Sequence, residues 1–257
     1  MNRYFLELAY KGTSYCGWQI QQNAISVQEI LNKALATLLR HDIETIGCGR
    51  TDTGVHASQF YAHFDTETTI PSNEKFCYQM NALLPDDISV FQIIPVEANA
   101  HARFDATSRS YRYFITNEKN AFLKDVAWYW RTSPDVSLMK KAAEILITYT
   151  DFSCFAKAGG QQFTNHCTIL NADWIAYDHI LEFRITANRF LRGMVRAITG
   201  TMLEVGQQKI NLEEFENIIR SQNRSLAGES VPAHGLFLSE IEYPYINKIQ
   251  RKILLNA

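Results

Sequence analysis

Gly49-Arg50-Thr51-Asp52-Thr53-Gly54-Val55-His56-Ala57 is the stretch around which the chain is organised. Before it, Ile43 to Cys48 is apolar and β-branched; after it, Val55 to Phe64 carries aromatics and alternates in the manner of a half-buried strand. The stretch is therefore expected to be a tight loop between two strands. Gly49 and Gly54 bracket it, and glycine takes backbone angles denied to other residues and lets a chain pass close to a ligand. Arg50 and Asp52 stand two apart, so in an extended segment they share a face, where the guanidinium can hold the carboxylate ionised and fixed in direction. The same residue types also build ordinary turns, in which Asp bonds its own backbone. Taken alone, the string fits both readings.

Working outward, Tyr4 to Tyr10 reads as a first strand, followed by a loop, Lys11 to Gln19, rich in glycine, aromatics and amides. Ser26 with Glu29 forms a capping-box signature, and Val27, Ile30, Leu31, Ala34, Leu35, Leu38 and Leu39 recur at three- and four-residue intervals. This predicts a helix whose apolar stripe covers a sheet face. Ser72 opens a second helix that runs to about Leu84, where Pro85 stops it, and a strand follows around Ile88 to Ile94. The basic, aromatic-containing connection His101 to Arg109 marks the boundary between halves, taken as 1–105 and 106–257.

The second half restarts the pattern. Ser110 to Thr116 alternates across two faces, with Tyr111, Tyr113 and Ile115 on one and Arg112 and Phe114 on the other. Trp128 to Trp130 reads as a strand, Leu138 to Leu146 as a helix, and Thr168 to Tyr177 with Ile180 to Ala187 as a strand pair. The last long helix is expected over Phe190 to Val205, with Arg189, Arg192 and Arg196 at i, i+3 and i+7 along one side. Such a row is either a solvated face or a set of phosphate forks. Asn211 with Glu214 caps a short acidic helix, and Leu236 to Tyr243 supplies a closing strand. Strand, loop, helix, strand thus recurs, which predicts an α+β chain of two related α/β halves.

The totals narrow the function. The 257 residues are 46% hydrophobic and 12% aromatic, too apolar for disorder, and no apolar run reaches the length of a membrane span. Glu7 interrupts the apolar start and no small-residue cleavage site follows, so a cytoplasmic protein is expected. The five cysteines include no C-x-x-C pair and fit reduced, structural thiols. His166 with Cys167, and His56 with His63, lack zinc spacing, so no metal is expected. The net charge of −2 argues against indiscriminate nucleic-acid binding but permits a local basic surface.

The nine residues from Gly49 to Ala57 closely resemble the catalytic signature of the tRNA pseudouridine synthase A family. Further stretches resemble that family's other motifs, in its order: His101-Ala102-Arg103-Phe104, Tyr111-Arg112-Tyr113, Phe190-Leu191 with Met194-Val195-Arg196, Leu203-Glu204-Val205-Gly206 and Gly235-Leu236-Phe237-Leu238. The resemblance runs from about Tyr4 to Pro244. It implies a pseudouridine synthase fold, with mainly antiparallel sheets apposed around a central RNA-binding cleft. It implies tRNA as partner, uridines 38, 39 and 40 of the anticodon stem-loop as targets, a homodimer whose cleft uses both chains, and no cofactor. Asp52 is implied as catalytic nucleophile and Tyr111 as a contact to the target uracil. Arg50 is implied either to pair with the aspartate or to help open the helix, and Arg196 to lie in the same pocket. Thr53 stands where the family more often has alanine, Arg189 and Gly193 depart from the residues common in their helix, and Phe163 to Thr168 matches loosely.

The chemistry is compatible with one carboxylate. Pseudouridine formation breaks the N1 glycosidic bond, turns the base and joins C5 to the sugar, without redox or phosphate chemistry. A nucleophilic Asp52 can add to the base, add to the sugar, or assist an unsaturated sugar intermediate; the sequence leaves the three open. Extruding a paired base costs a few kcal/mol, and Tyr111 can offset about 1–3 kcal/mol of that by stacking, while its hydroxyl can accept the C5 proton. Arg189, Arg192 and Arg196 with Arg103, Arg109 and Arg112 would then hold the phosphate backbone. Two other classes compete: an RNA-binding or chaperone protein without catalysis, and a nucleoside or glycoside hydrolase, which usually needs two carboxylates where the signature has one.

Overall fold

The computed structural model describes residues 1–157 and 164–247. In chain order its strands are β1 (Asn2–Tyr10), β2 (Ile46–Gly47), β3 (His56–Thr66), β4 (Ile88–Val96), β5 (Ser108–Thr116), β6 (Trp128–Tyr129), β7 (Ile169–Tyr177), β8 (Ile180–Ala187) and β9 (Leu236–Glu242). Its α-helices are α1 (Val27–Leu39), α2 (Asn73–Leu83), α3 (Val136–Ile147), α4 (Met194–Gly206) and α5 (Leu212–Ser221). The chain divides into a first unit, Met1–Thr107 with the residues from Phe237 on, and a second, Ser108–Leu236. Strand pairing is mainly antiparallel, and helices and strands are mixed in both units, in agreement with the α+β expectation.

In the first unit β1 lies between β4 and β3, antiparallel to both. Phe5, Leu6, Leu8, Phe60 and Phe64 are buried there with Leu31 and Leu35 of α1. The helix starts are local chemistry: the Ser26 hydroxyl accepts from Glu29 N at 3.3 Å, and Ser72 from Lys75 N at 3.3 Å. Leu84 turns extended ahead of Pro85 and ends α2. The expected strand Ile43 to Cys48 shortens to Ile46–Gly47, because α1 side chains take the backbone just before it: Asn32 Oδ1 accepts from Thr45 N and Gln28 Nε2 donates to Thr45 O.

β4 is the outer strand of this unit's sheet, and outward N–H groups along it are occupied. Ile88 N donates to Pro85 O at 3.0 Å. Val90 N donates to Asn81 Oδ1 and Val90 O accepts from Asn81 Nδ2, at 2.7 and 2.8 Å. An irregularity in β4, where Phe91 is skipped between the pairs Glu7–Gln92 and Leu8–Val90, moves the outward position to Ile93, whose N–H donates to Asn73 Oδ1 at 2.9 Å. Pro95, two further on, has no N–H.

The C-terminal strand departs from the division at 105/106. β9 runs parallel to β3, with His56 opposite Phe237 and Ala57 opposite Leu238. Thr107 N donates to Glu242 O at 2.8 Å and Ile241 N to Gln59 Oε1 at 3.1 Å. These bonds make β9 part of the first unit.

In the second unit β8 pairs antiparallel with both β5 and β7, β6 adds parallel to β5, and α3 lies against β7. Trp174 and Phe183 stack at 4.8 Å in its core. Asn211 and Glu214 form the full reciprocal capping box at the start of α5. The long helix corrects the sequence reading. It begins at Met194 rather than Phe190, because Gly193 sits at its N-cap with φ +70°, in the left-handed region. Arg189 and Arg192 therefore precede the helix, and the row of three arginines along one helix side does not exist; Arg196 alone of the three lies on α4.

Candidate active site

The loop between β2 and β3 is shaped by backbone bonds to the loop that follows β1. Asp52 O accepts from Val55 N at 3.1 Å, which closes a turn with Gly54 at φ +78°. Gly54 N donates to Tyr15 O at 3.3 Å and Trp18 N to Thr51 O at 3.4 Å. Gly12 N donates to His56 Nδ1 at 2.9 Å, and the buried His56 ring lies 4.6 Å from that of Phe237. Two glycines allow the approach. A Cβ on Gly12 would stand 2.0 Å from Val55 O, and one on Gly17, itself at φ +82°, 2.2 Å from Thr51 O. Of the two glycines bracketing the loop, only Gly54 takes a left-handed angle, and a Cβ on Gly49 would meet nothing within 4 Å.

Asp52 is half-buried and Arg50 exposed. Among the described residues Arg50 forms no ion pair, so the expected Arg50–Asp52 pairing is not present. The extended alternation that would put both on one face stops at Asp52, where the turn to Val55 begins. Thr51, between them, points inward, its hydroxyl 2.8 Å from that of Tyr10. Neither Tyr10 nor the Gly12–Gly17 clearance stands out in the sequence.

In the second unit, Tyr111 lies on β5 opposite Ile185 of β8, half-buried, its ring edge-on to Phe190 at 5.1 Å and 87°. Arg196, in the first turn of α4, is tied to one residue twice: its Nε donates to Val231 O at 2.7 Å and its carbonyl accepts from Val231 N at 3.2 Å. Gly200, one turn on, lets that strap pass, since a Cβ there would stand 1.8 Å from Glu229 O.

The remaining arginines sort by what they touch. Arg192 is exposed, its carbonyl accepting from Lys157 N at 2.9 Å, and Arg189 is half-buried near Cys167. Arg109 Nη1 donates to Asn188 O at 2.9 Å. Arg103 lies 5.6 Å over the ring of Phe104, which is 73% exposed, on a turn tied by His101 N to Asp105 Oδ2 at 2.7 Å and Ala102 N to His63 Nδ1 at 3.1 Å. Phe163, in the loosely matching segment, lies outside the described residues.

Arg112 behaves differently. Its Nε donates to Glu182, whose side chain is fully buried and also accepts from Arg184 Nε at 2.7 Å, Arg184 Nη2 at 2.9 Å and the Tyr177 hydroxyl at 2.8 Å. Burial pushes the Glu182 pKa up, but the hydrogen bonds from Arg184, Arg112 and Tyr177 outweigh it and hold the carboxyl below its ordinary value. The Arg112 guanidinium is thus committed to a buried carboxylate, unlike a solvent-facing phosphate fork. Arg112→Ala is expected to destabilise the protein by about 1.5–3 kcal/mol, the scale of a hydrogen bond to a charged group. Because the folded carboxyl titrates low, the stabilisation is complete above its unfolded pKa, about 4.5, and is lost as pH falls below it. Urea denaturation of both proteins at pH 7 and pH 4 checks this: the difference between them should shrink at the lower pH.

Among the described residues no three of His, Cys, Asp and Glu come together as a metal site requires, and no helix is long and apolar enough to cross a membrane.

Residues 142–244 match a family model described as tRNA pseudouridine synthase. A protein of Bacteroides fragilis is 50% identical over 245 residues, covering 95% of this chain and 97% of its own length. One from Azobacteroides pseudotrichonymphae is 48% identical over 244 residues, with 95% and 98% covered, and one from Thermoanaerobacter sp. is 39% identical over 245 residues, with 95% and 100% covered. All three are named tRNA pseudouridine synthase A.

Proposed function

The chain belongs to the tRNA pseudouridine synthase A family, and we propose that it isomerises uridine to pseudouridine in the anticodon stem-loop of tRNA, at positions 38, 39 and 40, with Asp52 as nucleophile. The observation that carries the reading is the loop itself: a half-buried carboxylate on a glycine turn that is bonded from behind at the backbone of Thr51 and Gly54 and at the His56 ring. Preorganisation of this kind keeps a reacting group within the narrow geometry that catalysis demands.

In this reading the N1–C1′ bond breaks as the Asp52 carboxylate adds to the sugar or the base, or assists an unsaturated sugar intermediate; the uracil turns, C5 bonds to C1′, and any bond to Asp52 is cleaved again to restore the carboxylate. Tyr111 stacks on the extruded base, and its phenol oxygen takes the proton that leaves C5 while its own hydroxyl proton passes to solvent. Arg196, fixed at both its carbonyl and its guanidinium by Val231, holds the base or its flanking phosphate. Arg50, exposed and without an ion pair among the described residues, takes the second of its two implied parts, entering the stem to help open it. Arg103, Arg109, Arg189 and Arg192 hold phosphates; Arg112 acts through the sheet. The protein works without a cofactor, as a homodimer, in the cytoplasm.

The deciding measurement is release of tritium from tRNA labelled at uridine C5, together with mapping of pseudouridine in tRNA from cells lacking the protein. Loss of modification at 38, 39 and 40 is expected; free uracil as product would point to a hydrolase instead. Arg192→Ala should weaken tRNA binding and flatten its salt dependence by about one unit of log–log slope. A salt titration superimposable on that of the unmodified protein would remove Arg192 from the phosphate contacts.

A further inference from the structure

We propose that Tyr10 is a positioning residue for Asp52, acting through the hydroxyl of Thr51; the inference rests on the reading of Asp52 as nucleophile. Tyr10 is the last residue of β1, the strand between β3 and β4. Its hydroxyl lies 2.8 Å from Thr51 Oγ1, and the two residues are 4% and 8% exposed. The phenol cannot swing. Its ring packs against Phe60 at 5.5 Å and Trp18 at 6.4 Å, and those two rings stack on each other at 4.2 Å. Trp18 also holds Thr51 by the other end, donating its backbone N–H to Thr51 O. The residue next to the nucleophile is therefore fixed at carbonyl and side chain together, and the side-chain tie reaches back to a central strand.

Two properties distinguish this bond from ordinary core packing. It joins residues 41 apart in sequence, so no local turn enforces it. It also consumes Thr51's inward-facing side chain, leaving Asp52 to begin the turn that Val55 closes. A displacement of about 1 Å in a reacting group costs on the order of 100-fold in rate, whereas loss of one hydroxyl from a ring that keeps its packing alters the fold little. The effect should appear in turnover, with the melting temperature and tRNA affinity nearly unmoved.

The experiment compares Tyr10→Phe, Thr51→Val, the double variant and Thr51→Ser by single-turnover rate, tRNA dissociation constant and melting temperature, with Asp52→Asn in parallel. Tyr10→Phe and Thr51→Val should each slow the reaction by about 10- to 100-fold at nearly unchanged affinity. The double variant should be no slower than either, since both remove one bond, and Thr51→Ser, which keeps the hydroxyl, should stay within about threefold of the unmodified protein. A wild-type rate in Tyr10→Phe, or losses that multiply in the double variant, overturns the proposal. Should Tyr10→Phe fail to fold, Thr51→Val decides alone by the same rate criterion. If Asp52→Asn is inactive while Tyr10→Phe keeps full rate, this inference alone fails; if Asp52→Asn is active, the nucleophile reading fails first.

Discussion

Asp52→Asn is expected to abolish tritium release from C5-labelled tRNA, a loss of at least about 10³-fold, while the tRNA dissociation constant stays within about threefold. The substitution replaces one carboxylate oxygen by an amide of the same size and removes the nucleophile without removing bulk. The loop should survive it, because its shape is set by the backbone of Thr51, Asp52, Gly54 and Val55 and by His56, and none of those bonds requires the Asp52 carboxylate. Separating binding from chemistry is therefore clean: a variant that binds and does not turn over supports the assignment, and one that turns over at the wild-type rate removes it.

The second large effect is expected one loop away. Gly17→Ala places a methyl 2.2 Å from Thr51 O, at a residue whose φ of +82° already disfavours any side chain. The left-handed angle alone costs about 1–2 kcal/mol. The clash is with backbone and can be relieved only by moving Thr51, whose neighbour is Asp52. Both strain and displacement follow, so kcat should fall by about 100-fold and the melting temperature should drop by several degrees, roughly 2–4 °C per kcal/mol for a chain of this size. Gly49→Ala, where a Cβ meets nothing within 4 Å, should not lower the melting temperature. Equal thermal behaviour of the two variants would show that the close packing of the two loops carries no strain of consequence.

What can be read from the sequence is local. Ser26, Ser72 and the Asn211–Glu214 pair announce helix starts because a cap is satisfied within three residues. Pro85 announces an end because it holds the preceding Leu84 out of the helical region. The strand pair β7–β8 is legible because two apolar runs flank a short turn. The unread parts are those decided at long range. β9 reads correctly as a strand, but its parallel partner, β3, lies 181 residues earlier (His56 opposite Phe237), and nothing in Leu236 to Glu242 names that partner. The ion pair of Arg112 with the buried Glu182 depends on strand register, which no local pattern announces. Gly193 is visible as an unusual residue, yet the 3.6-residue periodicity of its neighbours outweighs it and extends the expected helix four residues too far. At the candidate site the string Gly49 to Ala57 points to Asp52 only through the resemblance it shares with the downstream motifs, whereas the Tyr10 hydroxyl behind Thr51 is a tertiary contact that no spacing encodes.

The occupied outer side of β4 sets a rule for how this chain can associate. An extended segment from another molecule needs a run of open N–H and C=O groups on which to zip, and from Ile88 to Pro95 the outward N–H groups are spent on Pro85, Asn81 and Asn73 or missing altogether. Self-assembly along that border must rely on side chains, which single surface substitutions can tune, and a fibril seed finds no starting rung there. Asn73 and Asn81 are accordingly guards of solubility: replacing both with alanine should leave turnover intact and show its effect as concentration-dependent light scattering.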